Sequence, residues 1–539
     1  MDKRTLIAIG LSILVLVVFS FLTPITQRPV QKQAEPWQAD RKAETVEEKK
    51  EMPAGGEVPA VAAEIPVEDK KIQIETDLYS AVLATRGGTI TKWDLKEYSD
   101  KKGNPVSLVP PDMTIPPVSI LFEGALKDLP AKVTYSVNKD SIIFNRNKKS
   151  DSLTFFYSDP SGFTIKKTFI FYKDNYKVDL ITEVTGVQSY KVVLGSGFGI
   201  FDEQETWVHI GPVLLKENSK IDIDRNNIDG AGFIKRRILG EKSKSEVEYK
   251  GDILWIAQED KYFTSALVSV NRDNDAIIWT WEKNGRNITR GAEIAYKVTG
   301  KKGEFLLYAG PKKYDILKTL GVGLEHIVDF GFFSIISKPL FWVLMLFYNI
   351  IGNYGWAIIL LTIVVRIPFI PLVHKGHKSM KKLQAVQPHM AAIKEKYKKD
   401  PQKLQKETMA LYKKHKVNPM GGCLPMLIQL PVFFALYKIL LIAIELRGAP
   451  FILWITDLSE KDPYYIFPIV MGLTMVIQQK MTPSGMDPRQ AKIMMLMPIF
   501  FTFLFLSFPS GLVIYWLTSN LLSITQQYFD NKRAKKSPA

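Results

Sequence analysis

The sequence predicts a two-part membrane protein, an all-β sandwich outside the membrane joined to an α-helical bundle with six transmembrane helices. Three observations carry this prediction. The mean hydropathy of −0.01 conceals a split, with residues 24–335 polar and residues 339–529 holding apolar runs broken by short charged loops. The polar part shows short alternating runs without a helical period. The loops of the apolar part alternate in charge, as the excess of lysine and arginine on the cytoplasmic side requires. A chain of 539 residues, 46% hydrophobic and carrying a formal charge of +16, can hold a core-forming domain of about 240 residues beside such a bundle. Cys423 is the single cysteine, so no disulfide forms within the chain and the outer domain rests on its own core.

The first element is residues 1–23. Met1-Asp2-Lys3-Arg4 precedes an uncharged run from Leu6 to Leu22, and the exit Thr23-Pro24-Ile25-Thr26 offers no A-x-A-like cleavage site. The expectation is an uncleaved signal anchor with its basic end in the cytoplasm. Residues 24–70, rich in Pro, Glu, Lys, Gln and Ala, have too little apolar surface to fold and read as a flexible linker. Residues 71–313 alternate in stretches such as "KIQIETD", "FTIKKTFIFYKD", "YKVDLITEV" and "NITRGAEIAYKV". Arg86-Gly87-Gly88, Lys101-Lys102-Gly103-Asn104 and Asn284-Gly285 punctuate them. Many strands at close spacing predict the β-sandwich. His209 is the domain's only histidine, and no GxSxG or metal-ligand spacing accompanies it. It reads as structural, with no metal, cofactor or catalytic residue implied.

Residues 314–352 read as connecting and interfacial helices, and residues 353–530 as a five-helix core. The 35 residues from 339 to 373 exceed one straight span of about 20. Gly352-Asn353-Tyr354-Gly355 divides them into an interfacial helix, Pro339–Ile351, and a span, Tyr354–Val373. Further spans are predicted at 423–442, 464–481, 492–508 and 511–529. The loop 374–416 has thirteen lysines against three acids, and the loop 443–463 is net −2. Both termini, including the basic tail 531–539, therefore belong in the cytoplasm and the β domain on the outer side of the membrane.

The basic loop has a pattern of its own. Leu383, Val386, Met390, Ile393 and Tyr397 share a helix face, and Leu404, Thr408 and Leu411 repeat the rhythm after Asp400-Pro401. Two short antiparallel helices follow, kinked at Pro388, with lysines facing water. They stabilise topology or meet anionic lipid headgroups and ribosomal RNA.

One residue breaks the apolar pattern. Arg366 lies within the second span, and no Asp or Glu lies within any predicted span. A guanidinium at the bilayer centre costs roughly 2.5–3.5 kcal/mol on insertion scales. Either it snorkels to the cytoplasmic interface, or it sits in a water-filled cavity whose counter-charge arrives with a guest. Thr362, Gln429 and Asn520 supply polar neighbours for the cavity, and Tyr515, Ser519, Ser523 and Gln526 form a polar stripe on the last span. Cys423, six residues before Gln429, borders the same place. Methionines 471, 475, 481, 494, 495 and 497 suit surfaces that meet varied apolar partners.

The stretches "TIVVRIPFIPL", "VNPMGGCLPMLIQLPVFFALY", "LWITDLSEKDPYYIFPIVMG", "QQKMTP" and "FPSGLVIYWLTSN" resemble the YidC/Oxa/Alb family of membrane insertases, and the likeness runs over essentially the full length. The resemblance implies a periplasmic β-supersandwich and a core enclosing a hydrophilic groove, open to cytoplasm and lipid. Arg366 then matches the groove arginine, with Thr362, Gln429, Cys423, Tyr515, Trp516 and Asn520 around it. Pro425, Phe433 and Phe505 lie on the slide along which a client leaves. Its partners would be nascent membrane proteins, the Sec translocon, the ribosome through the basic loops, and anionic lipids. The family's last span often carries Tyr-Tyr where this chain has Tyr515-Trp516. An anion channel or transporter using Arg366 predicts internal repeats and paired broken helices, which the sequence lacks. An intramembrane hydrolase would need HExxH, a Ser–His pair or an aspartate pair, also missing.

Overall fold

The computed structural model describes residues 69–536 apart from 112, 124–132, 203–207, 218, 225–227, 229–244, 271–273, 284–288, 416–423 and 483–487. The predicted anchor, nearly all of the linker, the Asn284-Gly285 turn, Cys423 and the end of the tail lie outside the described residues.

Between Lys71 and Pro311 the chain forms strands arranged in three sheets of five, nine and five. The spine of the largest sheet is the antiparallel series Thr164–Tyr172, Lys177–Thr185, Lys302–Pro311 and Phe263–Ser269. Leu180 pairs with Phe169 on one side and Phe305 on the other. All three are buried, and such cross-strand apolar pairs are the unit of sheet stability. In the first five-stranded sheet Tyr79 stacks on Trp93 at 4.1 Å.

The alternation that builds the sheet also carries a lysine inward. In Thr164–Tyr172 the inward positions are Ile165, Lys167, Phe169 and Phe171. The Lys167 ammonium donates to the carbonyls of Gly87, Gly88 and Val118, each at 3.0 Å, so three donors meet three acceptors. Gly87 and Gly88 have φ of 74° and 56°, the left-handed region that lets this turn aim both carbonyls at one point.

The β unit continues through Val328, taking in α1 (Tyr314–Thr319) and a 3₁₀ turn at Leu324–Ile327, whose Leu317, Leu324 and Ile327 are buried. The second unit begins at Asp329. Its helices are α2 (Ser334–Ile351), α3 (Tyr354–Arg366), α4 (Ile370–Lys396), α5 (Pro401–Lys414), α6 (Leu424–Ile442), α7 (Ile466–Met481), α8 (Pro488–Phe505) and α9 (Ser510–Lys536).

The Gly-Asn break has a clear cause. Gly352 ends α2 in the left-handed region with φ 74°, and the Asn353 side chain caps α3 by accepting from Trp356 N. Tyr348 and Tyr354 stack across it at 3.7 Å.

One feature differs from the sequence reading. The span and the hairpin are not separated by a loop, because a 3₁₀ turn at Ile367–Phe369 passes α3 directly into α4. Pro388 lies inside α4, which continues past it to Lys396. The hairpin core is Met380, Leu383 and Val386 against Leu411 and Tyr412, and Thr408 Oγ1 donates to Met390 Sδ at 3.6 Å.

Among the described residues two helices are long and apolar enough to cross a membrane, Ser334–Ile351 and the joined 43-residue run Tyr354–Lys396. Gln429–Ile442, Ile466–Met481 and Met495–Phe505 are apolar but shorter. The expected count of six, which includes the anchor outside the described residues, is not confirmed by these helices. The helix expected to lie at the interface passes the length test because it starts at Ser334. The last helix, Ser510–Lys536, is long enough, but Ser519, Asn520, Ser523, Gln526 and Gln527 lower the hydropathy of its uncharged stretch.

Candidate functional site

Arg366 is the last residue of α3, and its half-buried guanidinium reaches across to two other helices. Nη1 donates to Gln429 Oε1 of α6 at 3.2 Å and to Ser519 Oγ of α9 at 2.9 Å. Nη2 donates to Ser523 Oγ. Gln429 Nε2 closes the triangle by donating to Ser519 Oγ at 2.8 Å. Nε is buried and has no hydrogen-bond partner. Every acceptor around the charge is neutral, and among the described residues no carboxylate pairs with it.

A cavity of about 20 Å³ opens beside the guanidinium, lined by Thr362, Arg366, Gln429, Tyr515 and Ser519 with Phe369 and Val432. Since a water needs roughly 10–15 Å³ by this measure, there is room for about one. The expected water-filled cavity is thus small and tightly walled in this conformation.

The predicted site residues divide. Arg366, Thr362, Gln429 and Tyr515 come together at the cavity. Thr362 lines it without bonding the arginine, because its hydroxyl donates back to Ile358 O at 2.6 Å. Asn520 faces elsewhere: its amide donates to Thr474 Oγ1 of α7 at 3.2 Å, on the side of the buried Met471. One residue further along a helix turns the side chain by about 100°, since 3.6 residues make a turn, so Ser519 meets the arginine and Asn520 does not. Pro425 lies within α6, and Cys423 precedes the described part of that helix.

Trp516 also leaves the cavity, for an aromatic cluster. Its ring lies 4.9 Å from Phe433 of α6, and 5.2 and 5.8 Å from Phe505 and Phe501 of α8. The expected slide residues Phe433 and Phe505 therefore meet through Trp516, and Phe505 is buried. The exposed apolar side chains of α8 are Met495, Leu496, Met497, Ile499, Phe500, Phe503 and Leu504, a face suited to lipid.

The opposite end is stitched shut. Ser510 N donates to Glu460 O at 2.7 Å and Gly511 N to Leu458 O at 3.0 Å, which fastens the loop 443–465 to the start of α9. Asp462 is buried and accepts from Trp454 Nε1 at 3.0 Å and Phe467 N at 2.8 Å. The sequence reading counted Asp462 only as loop charge.

In the β unit, His209, Asp222 and Glu259 gather with ligand-type atoms within 4.8 Å of one another, a grouping that linear spacing did not reveal. Lys220 sits between the carboxylates, 2.7 Å from Glu259 and 3.1 Å from Asp222, and Lys312 is 2.6 Å from Glu259. His209 Nε2 lies 3.1 Å from Pro212 O. Two ammonium groups already balance the two carboxylates, so the cluster is a closed ion-pair network.

Family comparison covers both units. A family model described as 60Kd inner membrane protein matches residues 346–537, and one described as YidC periplasmic domain matches residues 71–343. The membrane protein insertase YidC of Syntrophus aciditrophicus is 39% identical over 572 residues, covering 99% of this chain and 100% of that protein. The membrane protein insertase YidC of Geobacter metallireducens is 40% identical over 552 residues, covering 99% of this chain and 98% of that protein. A crystal structure of an active YidC insertase with the first transmembrane domain resolved covers 98% of this chain and 100% of its own, at 18% identity and a TM-score of 0.37. Two matching family models and near 40% identity along the whole length lead to one conclusion: the chain belongs to the YidC family of membrane protein insertases.

Proposed function

We propose that this protein inserts membrane proteins by drawing acidic residues of a client's short external tail toward Arg366. The single observation that carries this reading is a half-buried cation at membrane depth surrounded only by neutral acceptors. Such a charge is costly unless a counter-charge arrives, and a client carboxylate supplies one. Hydroxyls and an amide are weaker partners than a carboxylate, which adds charge-assisted hydrogen bonds. The exchange therefore favours the client. With its tail held partway across, the client's apolar segment passes the aromatic face of α6 and α8 into lipid. Burial of about 20 apolar residues drives that step.

In this reading the hairpin 374–416 receives the nascent segment on the cytoplasmic side, aided by anionic lipids and the ribosome. Six spans put both termini in the cytoplasm, and the protein works alone or with the Sec translocon. No bond is made or broken. An anion channel or transporter is the weaker reading, since a cavity for about one water is no conduit and the relatives are insertases by name.

The test is insertion into liposomes by the purified protein with one single-span client. Arg366→Lys should keep insertion of acidic-tailed clients within about twofold, and Arg366→Glu should reduce it tenfold or more, while clients lacking tail carboxylates change little. Equal insertion of the acidic-tailed client by all three proteins would overturn the proposal.

A further inference from the structure

The arginine is the first member of a longer series. On α3 and α4, Arg366, Ile370, His374, His377 and Lys381 are spaced four, four, three and four apart, and on α9 Ser519, Ser523, Gln526 and Asp530 are spaced four, three and four apart. Each set lies on one helix face, and the two faces meet rung by rung. Arg366 bonds Ser519 and Ser523. Gln526 Nε2 donates to Ile370 O at 2.9 Å. His374 Nδ1 lies 2.7 Å from one carboxylate oxygen of Asp530 and His377 Nδ1 2.8 Å from the other. Lys381 Nζ donates to Asp530 O at 3.5 Å. The seam starts at the half-buried cation and ends at the root of the basic hairpin.

Its last rung differs from the others. Asp530 is the only carboxylate in the series, it engages two histidines at once, and its side chain is only 10% exposed. A carboxylate with both oxygens engaged fixes direction as well as distance. The cavity at the other end is too small for a client carboxylate, so a guest reaches Arg366 only if the helices that wall it move apart. α9 carries both the serines that hold the guanidinium and the carboxylate that holds the hairpin root, so a movement of α9 acts on both.

We propose that Asp530 is a positioning residue, which latches the hairpin to α9 and couples the hairpin's position to the hydrogen bonds of Arg366. The inference rests on the insertase reading only for what Arg366 attracts, and its test reads distance without any client. With Cys423→Ser as background, spin labels are attached at Met409→Cys on α5 and Leu521→Cys on α9, both exposed positions. The full chain is reconstituted in liposomes and the label separation is measured by pulsed dipolar spectroscopy. The parent should show one narrow distribution. Asp530→Ala should at least double its width, Asp530→Glu should restore it, and His374→Ala with His377→Ala should match Asp530→Ala, covering the case in which one variant fails to assemble. The coupling arm is Ser519→Ala with Ser523→Ala, which leaves the latch intact and should broaden the same distance. An unchanged width in both latch variants overturns the latch. Broadening by the latch variants alone, with the serine pair still narrow, overturns the coupling. Neither result depends on whether Arg366→Glu blocks insertion.

Discussion

Glu259 shows how a buried charge in the β unit is held. Burial raises its carboxyl pKa, but Lys220, Lys312 and His209 outweigh that and lower it from 4.5 to about 2. Between those values the unfolded chain binds more protons than the folded domain, so this group's contribution to stability falls as pH drops from about 4.5 toward 2. Asp260, next in sequence, is shifted upward by burial and works in the opposite sense, which is why a comparison with a variant is needed. Glu259→Gln leaves two lysines facing a neutral amide and should destabilise the β unit at pH 7 by roughly 3 kcal/mol, the scale for breaking a buried pair. The gap between parent and variant should narrow on acidification toward pH 2. Urea unfolding followed by tryptophan fluorescence at several pH values measures it, and a gap independent of pH would contradict the assignment. The same scale shows which site residues were legible. An arginine in an apolar run and polar residues four apart on the last span are visible in composition and period. Which of Ser519 and Asn520 meets the arginine depends on the rotation of α9, set by packing on α7 that no local pattern encodes. Lys167 was illegible for a related reason, since its strand reads the same whether the lysine faces in or out. Asp530 lay one residue past the expected end of the last span.

Helices and strands were legible where a period of two or of three to four persisted, and where a chemical stop marked the end. Gly352-Asn353 is such a stop, with one residue ending a helix and the next capping another. No stop of this kind lies between α3 and α4, where Ile367-Pro368-Phe369 tightens the helix without ending it. The charge change at His374 does not mark a helix boundary. The close approach of elements is also testable. Gly355, in the first turn of α3, faces the loop 443–465 so tightly that an added Cβ would lie 2.0 Å from Phe451 Cδ2. Gly355→Ala must push that ring aside and should cost about 1–3 kcal/mol, the range for overpacking a filled site. Faster limited proteolysis of the 443–465 loop and a lower Tm in detergent would register the loss. Unchanged values would mean that the ring moves freely.

The whole molecule is an inner-membrane protein with a periplasmic domain, and its two compact units divide between Val328 and Asp329. This boundary lies beyond the last strand, because α1 and the following 3₁₀ turn bury Leu317, Leu324 and Ile327 with the β unit. A chain that keeps the N-terminal segment and residues 329–539 but lacks 71–328 should retain insertion within a few fold. Cutting at 313 instead leaves three apolar side chains without their core and should lower the yield of membrane-integrated protein. Insertion and membrane yield measured side by side separate the two. Loss of insertion with normal yield from the 329–539 form would give the β unit a part in insertion itself.

The uninterrupted passage from α3 into α4 has a mechanical consequence. Residues 354–396 form a 43-residue rod, about 65 Å long at 1.5 Å per residue, with its one tightened turn immediately after Arg366. Taken as a fulcrum, that turn makes an unequal lever. The hairpin side extends 27 residues, about 40 Å, while the guanidinium swings on an arm of about 6 Å. A sideways push of about 10 Å at the hairpin tip therefore shifts the guanidinium by about 1.5 Å, enough to carry a 2.9 Å hydrogen bond beyond the range in which it holds. A wide, weak movement of the hairpin thus becomes a small, strong displacement at the guanidinium.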